Sequence, residues 1–374
     1  MEIDDKDLRE LVEDHILASQ QDTLDPMMID EGIQRYLKTR SGSLRPTTVK
    51  EYENELLRLQ QHLEKNGIQN LNDVRNRDLN DYFIWRREDS YNTRLSTNTM
   101  RDVRYIVRDF VRYAATIDAI DSDVPDDIQI PKLADGEDVR DVEIDAERLK
   151  QIFDQIEKRA YASREHVVWA LLNETGRRLG CIHSLDYDDV HLDAEHPFLE
   201  FRHDLPETSL KNGQKGEMKV NISESLCTVL DTYLKYNRKE CTTENGRSPL
   251  LTTSYGRLSK STMRKYVYKW SRPCFLNEEC PEGHDSEGCG ASASRDKYSK
   301  CPDSHSPHDI RHTYLTERLR DGVPAEALSE RCDVTKEILN KHYDERTSEE
   351  KRDLRRRVLE EVEANRGSFS QADA

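Results

Sequence analysis

Apolar residues recur at intervals of three and four along most of this chain, and that periodicity constrains the fold more than any other feature. Val49, Tyr52, Leu56, Leu59 and Leu63 form one such stripe, stopped by Gly67. Met100, Val103, Val107, Phe110 and Ala114 form a second within "TNTMRDVRYIVRDFVRYAAT". Period-two alternation is convincing in one hairpin. "FLEF" at 198–201 and "MKVNI" at 218–222 read as its strands, the second turning Met218, Val220 and Ile222 to one side. The polar stretch "HDLPETSLKNGQKGE" joins them. The pattern predicts a mainly α protein with a small β-sheet.

The chain has 374 residues, enough for about two domains. Residues 1–24 read as an acidic, helical lead-in, and 25–120 as a helical domain. Residues 121–144 carry two prolines, many acids and little periodicity, and read as a linker. A mostly helical domain with the hairpin follows over 145–350. Residues 351–374 read as a short charged helix with a free end. No apolar run approaches a membrane span and no secretory leader is visible, so a soluble, cytoplasmic protein with no membrane partner is expected.

The formal net charge is −17, from 74 acidic and 57 basic residues. A mean field of that sign argues against a nucleic-acid partner. Two facts oppose this. Arginines outnumber lysines 37 to 20, and arginine is the better phosphate ligand. The acids are also spread along the chain. Arg101, Arg104, Arg108 and Arg112 form a row beside the apolar stripe of the second helix. Such a row either tracks a phosphate backbone or is a solvated face paired with Asp102 and Asp109. The acidic, lysine-poor composition suits a high-salt cytoplasm.

"SPHDIRHTYLTERL" starts at Ser306. Ser306 is a good N-cap, Pro307 fits the first helical position, and Asp309 suits the first turn. His308 and Arg311 then share a face near the positive end of a helix, where an anion could sit; a solvated surface pair is the bland alternative. "ETGRRLGCIHSLDYDDV" adds a Thr-Gly-x-Arg box with Arg178, Lys211 lies in the hairpin, and "NKHYDE" adds Tyr343.

The order Arg178, Lys211, His308-x-x-Arg311, Tyr343 closely resembles the tyrosine recombinase, or phage integrase, family. The acidic composition, the "HYDERTSEEK" segment and the cysteine insertion look most like integrases of haloarchaea and their viruses. The resemblance implies an N-terminal helical core-binding (SAM-like) domain and a mixed α+β catalytic domain. It implies a site-specific recombinase that cuts and rejoins double-stranded DNA through a 3′-phosphotyrosyl intermediate, as a tetramer on two synapsed sites. A recombinase relative that only binds DNA and a type IB topoisomerase are the rival readings.

The residue types suit that chemistry. Two guanidinium forks, Arg178 and Arg311, match the oxygens of a phosphorane. Tyr343 is a competent nucleophile where nearby cations favour its phenolate. The phosphotyrosyl bond conserves the energy of the DNA bond, so catalysis requires no cofactor. By resemblance Lys211 protonates the leaving 5′ oxygen and His308 assists proton transfer or orients the phosphate. Arg177 rivals Arg178, and Lys215 and Lys219 rival Lys211. Tyr314 reads as packing.

Two positions depart from the family. Its usual His or Trp, nine residues before the nucleophile, is Val334 here, with Asp333 and His342 as neighbouring substitutes. Its acidic residue after the arginine box is Cys181.

Cys274, Cys280, Cys289 and Cys301 lie in a segment poor in apolar residues. Four thiolates around one structural zinc would staple it, with His284 and His305 as replacement ligands. Free or partly buried thiols are the alternative.

Overall fold

The computed structural model describes residues 24–88, 94–133, 142–284, 288–344 and 346–369. The lead-in expected over 1–24 lies almost wholly outside them. The chain divides into two compact units, Met1–Arg140 and Asp141–Ala374.

The first unit is built from α1 (Ile29–Ser41), α2 (Pro46–Lys65), α3 (Asn76–Glu88) and α4 (Thr97–Thr116). Pro46 opens α2 and the Ser96 hydroxyl accepts the Thr99 N–H to cap α4. The two stripes read from the sequence meet in one core, where Leu56, Leu59, Leu63, Val103, Val107 and Phe110 are buried with Tyr36, Tyr82 and Phe83. One charged pair is buried beside it. The Arg86 guanidinium donates to both Glu55 carboxylate oxygens, at 2.9 and 3.0 Å. The stretch after α4 differs from the linker expectation. Val124 and Ile128 are each 5% exposed and pack into this core, so two apolar side chains fix residues that acids and prolines made look unattached. Residues 134–141 lie outside the described part.

The second unit begins with α5 (Ala146–Ala160), α6 (Arg164–Thr175) and α7 (Leu179–Ser184). A three-stranded antiparallel sheet follows, in the order β1 (Val190–His191), β2 (Phe198–Phe201), β3 (Met218–Asn221). Its β2–β3 register pairs Leu199 with Val220 and Phe201 with Met218, as the alternation predicted. The two-residue β1 carries too little alternation to be read. After α8 (Glu224–Thr232) comes a short hairpin, β4 (Thr252–Thr253) and β5 (Gly256–Arg257). The unit then runs through α9 (Lys260–Ser271), α10 (Pro307–Arg320), α11 (Ala325–Cys332), α12 (Lys336–His342) and α13 (Ser348–Phe369). Residues 167–172 of helix α6 are apolar all round because they form the hub. Val167, Val168, Trp169, Leu171 and Leu172 are all at most 1% exposed in the core formed with the sheet and α9. No helix among the described residues is long and apolar enough to cross a membrane.

His166 sits in this hub, 2% exposed, and its Nδ1 accepts the Ala162 backbone N–H at 3.1 Å. Burial pushes its pKa from 6.5 down to about 4. The unfolded chain therefore binds a proton that the folded chain refuses. The stability this contributes is complete above about pH 6.5 and is lost as pH falls through about 4. At about 1.4 kcal/mol per pH unit between the two titrations, acidification across that window withdraws up to roughly 3 kcal/mol. Urea unfolding at a series of pH values should show His166→Gln flattening this part of the profile. Identical profiles for variant and wild type would contradict the assignment.

The cysteine segment gives the zinc expectation no support. Among the described residues no group of three or more side chains is arranged to hold a metal, and Cys274, Cys280, Cys289 and Cys301 are free thiols. Burial pushes the Cys301 thiol above its ordinary pKa. The Cys289 carbonyl accepts the Ser292 N–H at 2.9 Å. Aromatic and cationic side chains do the stapling expected of zinc. Arg272, 1% exposed, lies over the rings of Phe275 and Tyr298 at 5.6 and 4.9 Å. Those rings meet edge to face at 6.2 Å, and Arg159 covers Phe275 and donates to its carbonyl.

Candidate active site

The Thr-Gly-x-Arg box is a helix end followed by a helix start. Thr175, fully buried, donates back to the Leu171 carbonyl at 2.6 Å and closes α6. Gly176 takes the left-handed conformation at φ 60°, and an added Cβ would lie 2.2 Å from the Tyr314 ring, so only glycine fits. The turn sends its two arginines opposite ways. Arg177 goes inward, fully buried, donating to the Gly216 carbonyl at 2.9 Å with its guanidinium over the Phe201 ring. Arg178 goes outward and lines an open concavity of about 320 Å³. Its Nη1 donates to the Asp333 carboxylate at 2.9 Å and the Asp333 carbonyl at 2.5 Å.

Helix α10 opens as its sequence predicted. Ser306 Oγ accepts the Asp309 N–H, and the Asp309 carboxylate accepts the Ser306 N–H at 2.7 Å. That cap places Ser306, Pro307 and His308 on the wall of the same concavity as Arg178 and Arg311. Burial first, and the Arg311 charge second, hold the His308 imidazole below its ordinary value, so it is neutral at physiological pH. Arg311 is 2% exposed. Its Nη1 donates to the Gly176 carbonyl at 2.9 Å and the Cys332 carbonyl at 2.6 Å. Its Nη2 is buried with no hydrogen-bond partner. Burial, and then the neighbouring Arg178, depress its pKa. The Cys332 and Asp333 carbonyls are the negative end of the α11 dipole and offset part of the crowded positive charge. An incoming anion would complete what this arrangement lacks: an acceptor for the Arg311 Nη2 and a counter-charge between two guanidiniums.

Tyr343 ends α12 and is 5% exposed. Its ring lies 4.9 Å from that of His312, and it sits near enough to Arg311 to act on its charge. Lys211 is exposed on the turn before β3, next to Asn212, whose amide donates to Asp333 Oδ1 at 2.6 Å. Neither Tyr343 nor Lys211 lies on the wall of the concavity itself. Of the rival lysines, Lys219 projects over the Phe198 ring at 5.2 Å and lies 3.9 Å from Glu200, whereas Lys215 is exposed in the turn that ends at Gly216.

Asp333 is the residue whose part the sequence concealed. Val334 is 4% exposed in an apolar cluster with Leu328, Leu339 and Tyr343, and His342 is 6.5 Å from the Tyr343 ring. Asp333, at φ 53°, turns its carboxylate to bridge Arg178 and Asn212. It thus ties the arginine box, the Lys211 turn and the chain leading to Tyr343. Asp333→Ala removes a buried acceptor from two donors and puts alanine in a left-handed conformation. A stability loss of about 1–3 kcal/mol is expected. Asp333→Asn, which tolerates that conformation, should lose less. Chemical denaturation decides, and equal midpoints for all three proteins would show that the bridge contributes nothing.

The arginine row on α4 is not four equivalent cations. Arg104 packs over the Phe83 ring at 4.2 Å and donates to the Gln129 carbonyl at 2.9 Å. Arg112 is 3.5 Å from Asp126. Arg101 and Arg108 flank the exposed Tyr105 ring at 5.6 and 5.1 Å. Arg104 and Arg112 are tied to the fold, whereas the ring that Arg101 and Arg108 flank is itself exposed, so these two are the better probes of this face.

The comparisons agree with this architecture. The profile of the phage integrase family matches residues 143–347, and that of the phage integrase N-terminal SAM-like domain matches residues 33–117. The chain belongs to the phage integrase family, the tyrosine recombinases. Among solved structures it is similar to the Tn1549 transposon integrase in complex with a circular intermediate DNA. Identity is 17% over 89% of this chain and 99% of that one, with a TM-score of 0.64. It is also similar to a lambda integrase dimer bound to a COC′ core site, at 13% identity over 92% of this chain and 86% of that one, TM-score 0.59. No curated protein matches the chain.

Proposed function

We propose that this protein is a cytoplasmic site-specific recombinase that cuts and rejoins double-stranded DNA through a 3′-phosphotyrosyl bond to Tyr343. One observation carries the reading: Arg178 and the buried, half-satisfied Arg311 converge on one open concavity at the start of a helix. That is the electrostatic signature of a phosphate site.

In this reading the scissile phosphate takes the place between the two guanidiniums, which stabilise the charge gathered on its oxygens in the transition state. The Tyr343 phenol attacks phosphorus and the 5′ oxygen leaves. Lys211 supplies the proton to that oxygen, reaching over from the turn that Asn212 ties to Asp333. Neutral His308 takes or relays the phenol proton. Reversal by a second 5′ hydroxyl reseals the strand, so the bond energy is conserved and no cofactor is consumed. Tyr343 must move from its packed position to reach the phosphate. Helix α12 is short and buries only Leu339, so the packing that opposes the move is mainly that of the Tyr343 ring itself. Four protomers on two synapsed sites would complete the exchange, with Arg101 and Arg108 of the N-terminal unit as backbone contacts.

The test is covalent capture. Labelled duplex fragments spanning the DNA that flanks the protein's own coding sequence are incubated with it and run on a denaturing gel. A shifted, protease-sensitive band is expected. Val334 in place of a polar side chain favours a second reading, a relative that binds DNA without cutting it. Retarded bands on a native gel, with none on the denaturing gel, would establish that reading.

A further inference from the structure

In a chain where acids outnumber bases, no acidic residue occurs between Glu244 and Glu278. Seven cations do: Arg247, Arg257, Lys260, Arg264, Lys265, Lys269 and Arg272. Several are committed to the fold. Arg247 and Arg257 clasp Asp186, and Lys269 pairs with Glu165. Arg272 is the buried staple already described. Lys260 and Arg264 remain exposed on α9.

Arg264 and Tyr268 belong to two hollows at once. They line the concavity of Arg178, His308 and Arg311. They also line a second hollow of about 160 Å³, whose far wall is Arg295, Asp296, Tyr298 and Ser299. That wall is the 3₁₀ turn Arg295–Lys300 of the cysteine segment. An ion pair from Lys265 to Asp296 and the Arg272–Tyr298 contact fasten it onto α9. So docked, the turn presents Arg295, Lys297 and Lys300 to solvent. Lys297 and Lys300, three apart, share a face of such a turn. Among the described residues none of these three is in an ion pair, and neither is Lys260 or Arg264.

We propose that this docked turn is a phosphate-binding ledge, which extends the anion site along Arg264 so that Arg295, Lys297 and Lys300 grip the duplex backbone beside the scissile phosphate. The inference rests on the reading of the concavity as the scissile-phosphate site, and it assigns the cysteine segment a DNA contact in place of a metal. The local chemistry favours DNA over an acidic protein. The exposed cations continue, through shared wall residues, from a site built for a single phosphate, and they are set in a chain whose mean field repels polyanions elsewhere.

The experiment compares wild type with Arg295→Ala/Lys297→Ala/Lys300→Ala, and with the milder Lys297→Gln/Lys300→Gln. Affinity for a random-sequence duplex is measured across a salt series, and covalent capture is measured at saturating flanking-sequence DNA. Each lost phosphate contact removes about 0.9 from the log–log salt slope. The triple variant should therefore flatten it by roughly two to three and bind at least about tenfold more weakly at moderate salt. Wild-type capture at saturation should persist, because none of the three residues touches the reacting phosphate. Unchanged affinity and slope in both variants, with unchanged thermal unfolding, would overturn the ledge. Weakened binding in both, with no capture even by wild type, would uphold the ledge while removing the nucleophile reading.

Discussion

Tyr343→Phe should reduce covalent capture of DNA to background and leave native-gel binding nearly intact. The substitution deletes one oxygen from a side chain that is 5% exposed. The ring that packs with Leu339, Val334 and His312 is kept, so neither fold nor DNA surface should change much. What disappears is the only atom able to bond to phosphorus in this reading, and no neighbouring group restores it. Equal thermal unfolding of variant and wild type establishes that the loss is chemical. A band that survives on the denaturing gel would move the nucleophile to another residue.

Arg311→Ala should lower the cleavage rate by ~10²-fold or more, the scale of losing a transition-state donor in a desolvated site. It should also cost about 1–3 kcal/mol of stability, since the Gly176 and Cys332 carbonyls lose their donor inside the protein. Arg311→Lys separates the two effects. It keeps the charge and loses the planar fork, so binding should recover further than the cleavage rate. Arg178→Ala should match the kinetic loss with a smaller stability cost, because the Arg178 side chain is 24% exposed and its hydrogen bonds among the described residues go to Asp333. Single-turnover rates with pre-bound DNA give the kinetic term and denaturant unfolding the other. Wild-type cleavage rates in both alanine variants would remove the anion site from the mechanism.

Where chemistry is carried by neighbours in sequence, it was legible in advance. The cap of α10 follows from Ser306, Pro307 and Asp309, the core of the first unit from two apolar stripes, and the β2–β3 hairpin from alternation. The arginine box is likewise local, and Gly176 is what lets adjacent arginines part, one to the core and one to the concavity. Contacts between distant segments were not legible. Asp333 lies 155 residues from Arg178 and 121 from Asn212, and its left-handed backbone has no signature beyond asparagine-like tolerance of that conformation. The thiols of the insertion suggested a metal because cysteine is conspicuous. The contacts that hold their segment are those of Arg272, Phe275 and Tyr298, residue types too common to attract notice. Two apolar residues, Val124 and Ile128, were enough to anchor a stretch that composition alone made a linker.

Peptide mapping of the captured complex is the direct test of the proposed bond between Tyr343 and a 3′ phosphate. A nicked duplex, whose short fragment bearing the new 5′ hydroxyl diffuses away after cleavage, traps the adduct. Protease and nuclease digestion followed by tandem mass spectrometry then locates the added nucleotide. A single modified peptide containing "NKHYDE" is expected, with a 3′-linked nucleotide on the phenol of Tyr343. A nucleotide on any other residue, or one joined through its 5′ phosphate, would contradict it.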